Sequence, residues 1–409
     1  MWMLLKIAWR NIWRNPTRSL VVIFSLVIGI WATVFILAVS DSLHAESLRE
    51  GIEYKYGHVQ LHSTAYKKRQ ELGNTMSGVQ EILASISNDP EVKAATARLL
   101  TSGMIASAGY SSNVQIRGVM PTEEEAATQL KTRLTAGDYL DIDKRNPIIV
   151  GEKLMKKLKS GIGKKVVLTF ESPTADLVST TFRISGTFTA TNVREEETMV
   201  FVRLEDLSRL AGISGEANEI VIKLVEPKQM DDYVTKLNNR FIGQDIVVET
   251  WEQAAPDMAM VSDMIFQMDL IVTIIVLLAL AFGIVNTMLM AVLERFKELG
   301  ILMAVGMNKL RVFTMIVFET TLLSLAGGVG GMLFGFLTVL LVNYTGVNLS
   351  LFSEGLAGWG FKEVIHPELE GRVYVIITVA VIVTAVLASF YPAIRALSLT
   401  PSEAIRKEV

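Results

Sequence analysis

Apolar residues gather at the two ends of this chain. Leu20–Val39 and Val373–Ile394 carry no charged residue across 20 and 22 positions. Leu270–Leu293 carries none across 24, and Thr320–Ser353 is uncharged throughout. At about 1.5 Å of rise per residue, roughly 20 residues cross a hydrocarbon core of about 30 Å. The pattern predicts four transmembrane helices, at 19–41, 267–292, 312–343 and 373–395. A secretory signal competes for residues 1–40, since Ala38-Val39-Ser40 resembles a cleavage site. A signal's apolar core runs only about 7–15 residues, so a retained membrane helix is expected.

Residues 42–266 read differently. Short alternating segments at His58–His62, Asn113–Val119, Lys164–Phe170, Thr181–Ile184, Thr198–Val202, Asn218–Leu224 and Asp245–Thr250 predict strands. Helical patterns interleave at 79–86, 151–158, 204–211 and 229–241. The predicted class is a membrane α-helical protein with a large extracytoplasmic α+β domain inserted between helices one and two. Residues 41–57 and 252–269 read as helical stalks continuing those two helices outward. Met260, Met264 and Met268 form one stripe along the second stalk, open to two readings: a surface for acyl chains or a dimer seam.

Charge orients the chain. Lys6, Arg10, Arg14 and Arg18 lie in the amphipathic segment 1–18. Arg295, Lys297, Lys309 and Arg311 lie in 293–311, and Arg395, Arg406 and Lys407 follow helix four, mostly within 396–409. The 344–372 loop is acidic, with Glu354, Glu363, Glu368 and Glu370 against Lys362 and Arg372. The positive-inside rule puts both termini and 293–311 in the cytoplasm, with the large domain and 344–372 outside. The overall charge of -3 hides two opposed terms. Residues 41–263 hold 32 acids and 26 bases, and the remainder holds 10 acids and 13 bases.

Half the residues are apolar, 20% are charged and none is cysteine. That excludes a disordered chain, a disulfide scaffold and a thiolate metal site. No basic surplus marks a nucleic-acid partner. Gly161-Ile-Gly-Lys-Lys165 lacks the first glycine and the final hydroxyl of a phosphate loop and reads as a turn before a strand. His58 and His62 read as a solvated strand face, and Glu123–Glu125 and Glu195–Glu197 as solvated charge runs. No catalytic constellation, metal site or directly bound cofactor is expected.

Three features stand out near the membrane. The segment from Glu294 to Gly306 mixes Arg295 and Glu298 with Leu299, Leu302 and Val305, which predicts a short amphipathic helix at the surface. It is either an interfacial anchor or a docking helix for a cytoplasmic partner. Gly300 and Gly306 inside it point to specified local geometry. Glu319 is a carboxylate in helix three, either functional or snorkelling to the interface. Gly327, Gly331 and Gly335, with a weaker echo at Ser25, Gly29 and Thr33, let backbones approach closely within one subunit or between two.

These residues carry a resemblance. Asn11-Ile-Trp-Arg-Asn-Pro-Thr-Arg18-Ser19, the Glu294–Gly306 segment, Glu319 with Gly327–Gly335, Tyr391-Pro392-Ala-Ile-Arg395-Ala396 and Thr400-Pro401-Ser-Glu-Ala-Ile-Arg406 resemble the FtsX-like permease family, in order. In the inserted domain, Arg117-Gly118-Val119 with Pro121, Gly151-Glu152-Lys-Leu154, Phe182-Arg-Ile-Ser-Gly186-Thr-Phe188 and Thr250-Trp251 resemble the lipoprotein-releasing LolC/LolE permeases. That group's Ile-Asp-Pro run is replaced by Met120-Pro-Thr122 here.

The resemblance implies a type VII ABC transporter permease in the bacterial inner membrane, dimeric with a second copy or paralogue. ATP and magnesium would be bound by a separate cytoplasmic ATPase docked on Glu294–Gly306. Motion would pass through the stalks to the periplasmic domain, releasing lipoprotein to a periplasmic carrier. Two alternatives remain open at this point: a macrolide-exporter type of efflux permease working with an adaptor, and an FtsX-like regulator of cell-wall hydrolases.

Overall fold

The computed structural model describes residues 6, 9–10, 12–140, 144–190, 192–348 and 364–397. The Thr400–Arg406 motif, Asn11 of the N-terminal motif, and Glu354, Lys362 and Glu363 lie outside the described residues. The chain divides into two compact units, one of residues 1–44, 263–348 and 364–409, the other of residues 45–262 and 349–363.

The first helix, α1 (Pro16–Gly51), ends in a π-helical turn, Ile52–Tyr56. The second unit, the head, then runs β1 (Val59–Ser63), α2 (Val79–Ser87), β2 (Val92–Ala106), β3 (Ser111–Val119) and α3 (Pro121–Thr128). It continues with β4 (Leu134–Gly137), β5 (Pro147–Gly151), β6 (Lys165–Glu171), β7 (Leu177–Phe188), α4 (Val193–Thr198) and β8 (Met199–Arg203). It closes with α5 (Leu204–Ala211), β9 (Glu219–Leu224), α6 (Met230–Arg240) and β10 (Ile246–Thr250). Ten strands form one mixed sheet in the order β10-β1-β9-β2-β3-β8-β5-β7-β4, with β6 bridging β2 and β7. The β3–β8 and β5–β7 pairs are parallel, the others antiparallel.

Two large apolar cores, and a smaller cluster around Leu140, Phe188 and Phe201, share this sheet. One gathers Leu99, Ile105, Ile116, Phe170, Phe182 and Val200. The other gathers Leu61, Ile82, Ile86, Ile220 and Leu237. β2 serves both, pairing with β9 through its first half and with β3 and β6 through its second. Its Ala-, Thr- and Ser-rich sequence lacks the alternation that marks the other strands, so 92–106 is not among the expected strands, and neither is 147–151, a short continuous apolar run. The α2, α5 and α6 segments are helical as their periodicity predicts.

The opposite face of β1, β9 and β2 is polar yet buried. His58, Gln60 and His62, expected on a solvated strand, are all below 10% exposed. β1 sits between β9 and β10, and both ring systems are engaged inside. His62 Nε2 lies 2.9 Å from Gln60 Oε1, and Nδ1 lies 3.1 Å from the Asn218 carbonyl. His58 Nδ1 accepts from the Leu224 amide at 2.9 Å, and burial holds this imidazole below its ordinary pKa.

In the other unit α1 packs with α7 (Pro256–Glu294), α9 (Lys309–Thr345) and α10 (Gly371–Leu397), and α8 (Phe296–Ala304) joins α7 to α9. Among the described residues four helices are long and apolar enough to cross a membrane, by length and composition. Phe24, Leu278, Phe282, Leu333 and Leu341 cover the outside of these helices with apolar surface, as a lipid solvent favours. The 39 residues of α7 span roughly 58 Å. That exceeds a hydrocarbon core of about 30 Å, and both α1 and α7 continue from one unit into the other.

Candidate functional site

The Glu294–Gly306 segment is built by two interruptions of helix. α7 stops at Glu294, and Arg295 bends the chain into α8. Gly306 then adopts φ +103°, a left-handed conformation that glycine tolerates, and the Asn308 side chain caps α9 by accepting from the Leu310 amide. Leu299 and Gly300 face inward, whereas Glu294, Leu302 and Gly306 are exposed. Beside them, Ile301 and Val305 extend an apolar outer surface, Val305 being 83% exposed.

Two ion pairs flank a pocket of about 360 Å³ under α8. Arg295 Nη1 donates to both oxygens of Glu319, at 3.1 and 3.3 Å, with both side chains nearly buried. Glu319 therefore reaches across to Arg295 instead of snorkelling alone. Arg14 Nη1 donates to Glu298 Oε2 at 2.9 Å, and Arg14 Nη2 contacts Oε1. That hydrogen bond, with the Arg14 charge, holds the Glu298 carboxyl below its ordinary range. The pair is exposed, so solvent screens it and it adds little to stability. Breaking the buried Arg295–Glu319 pair at one end costs more, because it strands a charge. Arg14 read only as an orienting base in the sequence. No periodicity links it to Glu298, which lies 284 residues away.

The glycine stripe packs inside the subunit. A β-carbon at Gly327 would lie 2.6 Å from Leu26, at Gly331 2.8 Å from Ile30, and at Gly335 3.0 Å from Val34. Gly29 abuts Leu280 of α7 in the same way, while Ser25 is exposed and donates to the Val21 carbonyl. Met260, Met264 and Met268 are all more than half exposed.

In the head, the end of α1 is fastened by ion pairs that the sequence did not reveal. Lys55 Nζ lies 3.0 Å from Glu195, Glu53 pairs with Lys223, and the Arg133 guanidinium stacks 5.0 Å over the Tyr54 ring. Below them Arg98 is fully buried. It donates to Glu124 at 2.6 and 3.0 Å, to Glu219 at 3.0 Å and to the Lys55 carbonyl at 2.5 Å. Burial alone would push the Glu124 carboxyl up, but the Arg98 charge and hydrogen bonds hold it low. The two glutamate runs are thus not simply solvated faces. Glu124 and Glu196 are buried, Glu195 holds Lys55, and Glu197 lies 2.8 Å from Lys157. Helical periodicity turns one acid of each run inward, where Glu124 meets Arg98 and Glu196 accepts from the Ala190 amide at 2.9 Å.

Residues 19–240 match the MacB-like periplasmic core domain, and residues 270–401 match the FtsX-like permease C-terminal region. The chain is 22% identical over 403 residues to a lipoprotein-releasing system transmembrane protein LolC of Neisseria meningitidis, covering 95% of this chain and 94% of that protein. It is 23% identical over 337 residues to a macrolide export ATP-binding/permease protein MacB of Aggregatibacter actinomycetemcomitans, covering 78% of this chain and 50% of that one. The periplasmic region of MacB from Actinobacillus actinomycetemcomitans superposes with a TM-score of 0.38 at 13% identity, over 52% of this chain and 98% of that structure. With a MacB-like core domain between its first two membrane helices and an FtsX-like region behind it, the chain belongs to the family of MacB-type ABC transporter permeases related to LolC.

Proposed function

We propose that this chain is the membrane subunit of a transporter driven by a separate cytoplasmic ATPase, and that it releases lipoproteins from the inner membrane to a periplasmic carrier. In this reading both termini and 293–311 are cytoplasmic, the head is periplasmic, and two permease chains pair. ATP and magnesium belong to the ATPase. The carrying observation is the α8 site. Glu298 is fixed by Arg14, α8 is tied back to α9 through Arg295 and Glu319, and an apolar face at Ile301, Leu302 and Val305 is left uncovered. An amphipathic helix with fixed charges and an open apolar edge suits docking to a grooved partner. Ligand-driven movement of α8 would then pull on α7, which runs on into the head.

Lipoprotein is the favoured substrate because the exposed Met260, Met264 and Met268 offer a soft, adaptable surface for acyl chains. The test is reconstitution with the ATPase and an assay of lipoprotein release. Glu298→Lys or Leu302→Asp should abolish co-purification of the ATPase while leaving membrane insertion intact. Unchanged co-purification refutes the docking role. Release that survives Met260→Asp or Met264→Asp refutes the methionine surface. The second reading, efflux in the manner of macrolide exporters, draws on the MacB-like match across the head. It requires a periplasmic adaptor to co-purify in place of a lipoprotein carrier.

A further inference from the structure

The head contains a second cavity, of about 630 Å³, floored by the polar face of β1, β2 and β3. Lys55 and Tyr56 at the end of α1 and Gln253–Asp257 at the start of α7 form its other walls. We propose that this cavity is an oxyanion-binding site, anchored by Arg117, for a compact phosphate- or carboxylate-bearing ligand.

Arg117 is only 7% exposed, and it lines the cavity. It stands on β3 opposite Leu100, two positions along the ladder from the pair that sets Gln115 against Ser102. Strand alternation places Arg117 and Gln115 on the face of β2 that carries Arg98. The two arginines differ in one respect. Arg98 is saturated by two carboxylates and a carbonyl. Among the described residues no hydrogen bond or ion pair reaches the Arg117 guanidinium. Glu124 and Glu195 feel its charge at a distance, but they are committed to Arg98 and Lys55. Buried polar groups are normally paired, and a charged one without an acceptor is costly. A guanidinium fork facing a cavity meets that need best with a bidentate oxyanion.

The surroundings favour the same class. Arg194 stands exposed on the rim, and among the described residues its side chain also has no partner. The acids on the wall are largely spoken for: Glu219 receives Arg98, and Glu249 receives Lys67 at 2.5 Å. Asp257 remains and moderates the field. The polar lining suits a small anion or a headgroup better than an acyl chain. Such a ligand would touch both helix ends and the sheet at once. The inference does not rest on the transport reading, since it concerns residues remote in sequence from α8.

The experiment uses the full chain in detergent micelles, with inorganic phosphate titrated at constant ionic strength and read by thermal melting and calorimetry. Wild type should show a saturable rise in melting temperature that matched sodium chloride does not reproduce. Arg117→Gln should weaken phosphate binding by about tenfold or more, and Arg194→Gln by a few-fold. Because Arg117→Gln removes an uncompensated buried charge and strands no partner, it should melt no lower than wild type without phosphate. If that variant fails to fold, Arg117→Lys, which keeps the charge but loses the fork, should still weaken binding severalfold. No saturable response in wild type, or an equal response in the Arg117 variants, overturns the proposal. Dihexanoyl phosphatidylglycerol distinguishes the sources. Competition with phosphate identifies a lipid headgroup, and its absence identifies a free anion.

Discussion

Gly331→Ala is the sharpest test of how the membrane helices pack. The new methyl would lie 2.8 Å from Ile30 Cβ and 3.1 Å from the Val27 carbonyl oxygen. A β-carbon and a backbone oxygen cannot rotate away, so α1 and α9 must separate. Overpacking of this kind costs about 1–3 kcal/mol. Helix propensity acts in the other direction, by up to about 1 kcal/mol. Gly328 isolates that second effect: it lies on the same helix, and nothing stands within 4 Å of a β-carbon there. Gly328→Ala should therefore match or slightly exceed wild-type stability. The propensity gain cancels between the two variants, so they should differ by about 1–3 kcal/mol. The assay is denaturant titration of the full chain in micelles, under conditions where subunits are separated. Equal stability of the two variants would refute intrasubunit packing. An effect confined to the oligomer would assign the stripe to a subunit interface instead.

Three further outcomes follow from the ion pairs. Arg98→Met strands Glu124 and Glu219 without a counter-charge and should destabilise the head by about 3–5 kcal/mol; denaturation that is unchanged would refute the buried network, and a second substitution, Glu124→Gln, should recover part of the loss. Arg295→Met leaves the Glu319 carboxylate alone and should lower the melting temperature more than Glu319→Gln, which keeps an acceptor for Arg295; equal effects would contradict the pairing. Acid should weaken the α2–α6 edge of the head. Burial pushes the Asp89 carboxyl up, but hydrogen bonds from Arg240 and Tyr233 and the Lys236 charge pull it further down. A lowered folded pKa stabilises above the ordinary carboxylate value of about 4 and loses that contribution as pH falls through the folded one. The melting temperature should fall in that acid range, and Asp89→Asn should make the fall shallower.

The membrane helices were legible because a bilayer imposes a rule that any charge-free run of sufficient length satisfies locally. The α2, α5 and α6 segments were legible for a similar reason, since each carries its own period. β2 was not, because its residues are small and polar and gain strand geometry only from pairing with β9, β3 and β6. The buried histidines were misread for the same cause: alternation fixes which residues share a face, not what covers that face.

The sequence by itself determined the four apolar spans, the acidic insert between the first two, the amphipathic segment between α7 and α9 and the glycine spacing. Tertiary structure alone decided which partner each met. It set Gly331 against Ile30, Glu319 against Arg295, and Glu298 against an arginine near the start of the chain. It also turned Glu124, and neither neighbouring acid, toward Arg98. Local patterns follow from backbone geometry, which every residue carries with it. Pairing across hundreds of residues depends on the packing of whole elements, and no short stretch of sequence encodes that.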